Sequence, residues 1–205
     1  KMANIARELG VKIMLNETVN EFVFEGKKVI GARTDNGTYT ADKFVMNVDF
    51  ATGMKGLIPD KLRKKWSNKK LDEKSYSCST YMLYLGIDKL YDTPHHQIYA
   101  AKDYQKNLRE VTENRVTWDD PSIYVQNACV TDSTMAPEGH STIYVLVPAS
   151  SSHEGINWDD IKDDYMDVIL KQMENLGFEG IKDHIVSQTI VTPDDWAARD
   201  IYKGA

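Results

Sequence analysis

Residues 76–87 read YSCSTYMLYLGI, twelve positions without a charge or a proline. In an extended chain alternate side chains point to opposite faces. Tyr76, Cys78, Thr80, Met82 and Tyr84 then share one face, and Ser77, Ser79, Tyr81, Leu83 and Leu85 the other. Both faces are mostly apolar, so both are expected to be covered. A chain of 205 residues has the means, since a compact fold of that size buries roughly 70% of its unfolded surface.

The remaining pattern suggests what covers it. HHQIYAA, SIYVQNAC and STIYVLVPA read as further strands, and WDDIKDDYMDVILKQMENLGF as a helix. In that helix Ile161, Tyr165, Val168, Ile169, Gln172 and Met173 form one stripe, Asn157 stands at the N-cap position and Gly177 at the end. A last strand, DHIVSQTIV, runs into TPDDW. Upstream, residues 11–49 read as a small β-meander in which Asn36-Gly37 predicts a type I′ hairpin and Phe44 to Val48 a buried final strand. Residues 52–70 place Leu62 and Trp66 four apart on a cationic helix, a pattern that suits a solvated face or an anionic membrane surface. Strands, then a helix, then a strand, with no β-α-β alternation, predict an α+β fold: a mixed or antiparallel sheet with packed helices, plus the meander.

The opening KMANIARELG repeats apolar residues at Met2, Ile5, Ala6 and Leu9, and Gly10 ends that helix. Nothing before Lys1 caps its start, which predicts an excised piece of a longer protein. A net charge of −6 argues against a nucleic-acid partner. No apolar run approaches the ~20 residues of a spanning helix. The default setting is the cytosol. Cys78 and Cys129 have neither CxxC nor ligand-like spacing, so they predict core thiols rather than a disulfide or a zinc site.

Chemistry is sparse in the residues themselves. His95 and His96 are adjacent, and neighbouring strand residues point to opposite faces, so a shared metal ion is not expected. The pairs Asp119-Asp120, Asp159-Asp160, Asp163-Asp164 and Asp194-Asp195 sit where turns and helix starts favour carboxylates. No GxSxG, GxGxxG or GxxxxGK[ST] occurs, and no residue stands out as a catalytic base.

One further pattern is specific. PHHQIYAAKDYQKNLREV, followed by DDPSIYVQNACVTDSTMAPEGHSTIYVLVPA, resembles the carotenoid (phytoene) desaturase family of FAD-dependent oxidoreductases. The histidine pair, Asp103-Tyr104, Pro121-Ser122, Thr131-Asp132, Ala136-Pro137, Gly139-His140 and the Val145 to Pro148 strand keep that family's order and approximate spacing. LGVKIMLNETVNEFVFEGKKVIGARTDNGTYTADKFVMNVD resembles the family's later FAD-domain segment, and TPDDW the run that leads back into that domain. Asn47-Val48-Asp49-Phe50 departs from the Ala and Pro that the family often shows there.

The resemblance implies three parts: 1–50 from the FAD-binding domain, 51–190 as the substrate-binding domain, and 191–205 as the return toward the FAD domain. It implies that the dinucleotide fingerprint lies before Lys1, so that these residues alone are not expected to hold FAD. Val19 would pair through its backbone with the adenine of FAD, Asn47 and Asp49 would lie in the turn near the cofactor, and Tyr81, Leu83 and Tyr84 would line an apolar tunnel. The implied reaction is desaturation of a long linear isoprenoid such as phytoene, with contact at the membrane where such a substrate resides. A polyene isomerase or saturase on the same fold, or a non-enzymatic prenyl-binding chaperone, is the alternative.

Overall fold

In the computed structural model, residues 1–153 and 155–205 are described, and the chain forms two compact units, 1–74 and 75–205. The first begins with α1 (Met2–Glu8), whose N-cap residue Lys1 makes no side-chain capping bond. Gly10 ends it at φ +85 and donates its N–H to the Arg7 carbonyl at 2.9 Å. Strands β1 (Val19–Glu25), β2 (Lys28–Thr34) and β3 (Gly37–Thr40) follow as an antiparallel meander in that spatial order.

Three expectations for this unit are corrected. The second hairpin forms, but Thr34 pairs with Gly37, so its two loop residues are Asp35 and Asn36. Neither has positive φ, and the type I′ turn at Asn36-Gly37 is absent. The Thr34 hydroxyl accepts the Asn36 N–H at 3.2 Å, a local bond that helps to hold this alternative turn. Residues 44–48 form no strand, and Val45 is 94% exposed. The cationic helix also fails to form. Instead α2 (Phe50–Leu57) ends before Pro59, a single 3-10 turn spans Asp60–Leu62, and α3 (Asn68–Asp72) starts afresh at Ser67. Side-chain bonds favour this arrangement over a continuous helix. Asp60 accepts the Asn68 N–H at 2.9 Å, and Arg63 donates to the Trp66 carbonyl at 3.0 Å and to Asn68 Oδ1 at 2.7 Å.

The second unit holds β4 (Ser79–Ile87), β5 (His96–Tyr99), α4 (Tyr104–Thr112), β6 (Ile123–Asn127), β7 (Ser141–Ala149), α5 (Trp158–Glu174), β8 (Ile185–Val191) and α6 (Pro193–Ala198). The five strands make one antiparallel sheet in the order β5-β6-β7-β4-β8. The stretch with two apolar faces lies inside the sheet, paired on both edges.

One sheet face is closed by α5. Tyr81, Leu83, Leu85 and Ile87 cluster with Val125, Ile143, Val145 and Val147, and with Trp158, Tyr165, Ile169 and Met173 of the helix. The Tyr81 ring lies 5.7 Å from Trp158 and 5.0 Å from Tyr165, and its hydroxyl donates to the Lys162 carbonyl at 2.7 Å. Burial pushes both the Tyr81 and Tyr165 phenols well above their usual range. Asn157 caps α5 by accepting the Asp159 N–H at 3.2 Å, and Gly177 follows at φ +93. The cysteines depart from expectation, with Cys78 exposed and Cys129 only half-buried. Cys78 lies just before β4, lining a pocket with Thr80 and Trp196, and Cys129 lies in the turn after β6.

Candidate functional site

Among the described residues no helix runs along the sheet face opposite α5, which is buried at Met82 and Val191 and partly exposed elsewhere. Strand register sets out its composition. Ile98, Tyr124, Leu146, Met82 and Val191 follow one another across the five strands as one row. His96, Gln126, Tyr144, Tyr84 and Thr189 form the next. Neither row contains an Asp, Glu, Lys or Arg.

Aromatic rings join the rows. Tyr144 meets Tyr84 edge-on at 5.4 Å and Tyr124 at 6.0 Å, and His96 stacks on Tyr124 at 5.8 Å. Burial, then the neighbouring Tyr84 and Tyr124 phenols, push the Tyr144 phenol above its usual range, so this tyrosine adds no charge near neutral pH. Toward the β5 edge a pocket of about 200 Å³ opens among Ile98, Tyr104, Tyr124, Leu146 and Pro148. Toward the other end, the Trp196 indole on α6 donates to the Thr80 carbonyl at 3.0 Å, and a capping box between Thr192 and Asp195 starts that helix.

The two histidines correct the sequence expectation about their direction. Their rings stack 4.2 Å apart, because His95 precedes the strand and escapes its alternation. His95 Nδ1 lies 2.6 Å from the Thr131 hydroxyl and His96 Nδ1 2.6 Å from the Tyr124 hydroxyl. Among the described residues no cluster of three His, Cys, Asp or Glu could hold a metal ion.

The residues singled out for an apolar tunnel separate in space. Tyr81 and Leu83 are 0% exposed beneath α5 and line no surface, whereas Tyr84 is 40% exposed on the open face. A strand cannot present consecutive positions to one ligand. Residues on the open face that sequence reading missed are Tyr124, Tyr144 and Leu146, whereas Met82 on the same side is only 2% exposed. Their parity was visible in the sequence, but the register that aligns them across strands was not.

In the first unit, Val19 begins β1, an edge strand whose outer backbone groups pair with no other strand among the described residues. Such an edge fits a planar heterocycle that both donates and accepts hydrogen bonds. Asn47 is exposed, and Asp49 is engaged as the N-cap of α2, accepting the Thr52 N–H at 2.9 Å. A carboxylate at that helix start opposes a phosphate. Asp49 is therefore placed to hold the start of α2 rather than to receive a pyrophosphate.

No protein-family model matches the chain. Among curated proteins it is 38% identical over 207 residues to the 4,4'-diapophytoene desaturase (4,4'-diapolycopene-forming) of Methylomonas sp, covering 100% of this chain and 40% of that protein. It is 34% identical over 212 residues to the all-trans-zeta-carotene desaturase of Myxococcus xanthus, again covering 100% and 40%. With the 4,4'-diapophytoene desaturase (4,4'-diaponeurosporene-forming) of Staphylococcus aureus strain MRSA252 it shares 37% over 205 residues, 95% of this chain and 41% of the relative. The chain thus spans about 40% of the length of these relatives. A crystal structure of an oxidoreductase from Methanosarcina mazei superposes with a TM-score of 0.50 over 92% of this chain and 40% of its own, at 12% identity, a likeness of fold alone. Along essentially its whole length the chain is homologous to a stretch of these carotenoid desaturases.

Proposed function

We propose that this chain supplies the substrate-facing sheet of a FAD-dependent desaturase acting on a long linear isoprenoid such as phytoene. The observation that carries the reading is the open sheet face, aromatic and aliphatic, without formal charge in its two central rows, and backed by a core sealed under α5. A hydrocarbon chain offers nothing for an ion pair to grip. Its affinity comes from buried surface at about 0.8 kcal/mol per CH₂, which the Tyr, Leu and Ile side chains of these rows provide. Bound FAD would supply the oxidation, accepting a hydride from an allylic carbon.

In this reading Tyr84, Tyr124, Tyr144 and Leu146 lie against the polyene and exclude water, and the pocket beside Tyr104 receives one end of it. Tyr81 and Leu83 support the face from behind. Residues 1–50 contribute to the cofactor domain, with the backbone at Val19 against the adenine and Asn47 and Asp49 in the neighbouring turn, where Asp49 acts by fixing the start of α2. Residues 51–190 form the substrate domain, and 191–205 lead back toward the cofactor. The phosphate cradle must come from elsewhere in the protein, since no glycine-rich phosphate loop occurs in these 205 residues. The setting that suits this chemistry is cytoplasmic, with peripheral contact at the membrane that dissolves the substrate.

The test is pigment formation. Cells that accumulate phytoene, or its shorter analogue, are given the complete gene, and their extracted pigment is measured by absorption. A red-shifted polyene spectrum is the expected result. An unchanged spectrum from expressed, flavin-loaded protein overturns the reading.

A further inference from the structure

We propose that the first unit carries a docking surface for an anionic lipid bilayer, centred on Trp66. Residues 61–74 hold seven lysines and arginines against two acids, in a chain whose formal net charge is −6. Arg63 is committed to the local fold: its side chain is 3% exposed and contacts Asp60 and Asn68. The six lysines, Lys61, Lys64, Lys65, Lys69, Lys70 and Lys74, are all exposed.

Their arrangement is not that of scattered surface charge. The ammonium groups of Lys65, Lys70 and Lys74 lie 5.2, 5.8 and 5.8 Å from the centre of the Trp66 ring. Phe50, 47% exposed, meets the same ring edge-on at 5.3 Å. Beside them a groove of about 360 Å³ runs among Phe24, Met54, Ile58 and Leu62, with Lys64 and Lys65 in its walls. An apolar cleft walled by lysines and anchored by an indole combines the two demands of a bilayer surface. The cations meet the headgroups, and the ring and cleft meet the upper acyl region.

Charge complementarity selects this occupant. Three ammonium groups gathered around one ring repel one another in water, and a dense sheet of negative charge relieves that repulsion. Long lysine stems let the heads reach outward while their methylenes cover the aromatic rings. The surface lies entirely within residues 1–74, so the inference holds whether or not the sheet of the second unit binds a polyene.

The experiment is co-sedimentation of the purified protein with vesicles of phosphatidylcholine alone or mixed with phosphatidylglycerol, at low and high salt. Binding to the anionic vesicles, absent from neutral ones and lost at high salt, is the expected result. Each juxtamembrane lysine is worth about fivefold in partitioning, so Lys64→Gln with Lys65→Gln should weaken binding roughly 25-fold. Both side chains are exposed, so circular dichroism and the melting temperature should stay as in the unaltered protein. Trp66→Ala should weaken it further at unchanged charge. Equal binding to neutral vesicles, an unaffected double glutamine variant, or binding to single-stranded RNA as tight as to anionic vesicles would each overturn the proposal. Pigment formation by the unaltered protein in the preceding test reads the sheet separately.

Discussion

Single side chains carry opposite duties at neighbouring positions of β4. Leu83 has no exposed surface, so Leu83→Ala should cost about 2–5 kcal/mol in unfolding free energy, read as a lower urea midpoint. Tyr84 stands on the open face, where truncation forfeits mainly the ring contact with Tyr144. Tyr84→Ala should cost only about 1 kcal/mol of stability yet weaken phytoene binding about tenfold, measured by quenching of intrinsic fluorescence. Asp120 supports the opposite side of the sheet, accepting bonds from the Tyr99 hydroxyl at 2.7 Å, the Lys102 N–H at 2.7 Å and the Gln172 amide at 2.8 Å. Burial pushes its carboxyl up, but those three bonds outweigh burial and hold it below the usual value. A depressed carboxyl stabilises the fold above its unfolded value near 3.9 and loses that contribution as pH falls through its folded value. Asp120→Asn should therefore lower stability by about 1–3 kcal/mol at neutral pH. The gap from the unaltered protein should close in acid, which urea titrations across pH would follow. The Asp119-Asp120 pair was visible in the sequence as a turn feature, but the tie from β5 through Asp120 to α5 was not, because Gln172 is distant along the chain.

Elements divide by how local their signals are. Helix α5 agrees with its sequence pattern from cap to terminal glycine because its stripe, its N-cap and its end all lie within one continuous run. Asn157→Ala should cost about 1 kcal/mol, read as a lower melting temperature. The cationic segment after Pro59 shows the reverse. Its i, i+4 spacing is compatible with a helix, but Asp60, Arg63 and Ser67 offer the backbone competing partners, and the chain turns twice instead. The last turn, Tyr202–Gly204, depends on backbone approach. Gly204 sits at φ +67, a Cβ there would collide with the Pro193 carbonyl, and its own carbonyl accepts the Ser79 hydroxyl. Gly204→Ala should destabilise by more than 1 kcal/mol, with the loss visible as faster exchange of the α6 amides.

At the scale of the whole chain, the principal buried cluster among the described residues lies within residues 81–190. The first unit has few buried apolar side chains, Ala32, Ala51 and Leu71 among them. Amide hydrogen exchange should accordingly be slowest in β4, β7 and α5 and faster throughout the β1–β3 meander; equal protection in both would contradict this division. The amino-acid sequence by itself determined the α+β class, the central apolar strand, the helix over it and the likeness to the carotenoid desaturases. Those depend on periodicity, local capping and residue order, which are properties of neighbours along one chain. Tertiary structure alone decided which face of β4 is sealed and which is open, that Tyr124, Tyr144 and Leu146 join Tyr84 while Tyr81 and Leu83 do not, and that Lys65, Lys70 and Lys74 gather around Trp66 without a common helix. Those outcomes depend on strand register and on competition between side-chain and backbone hydrogen bonds, and their energies arise between residues far apart in the chain or only after folding has fixed their partners.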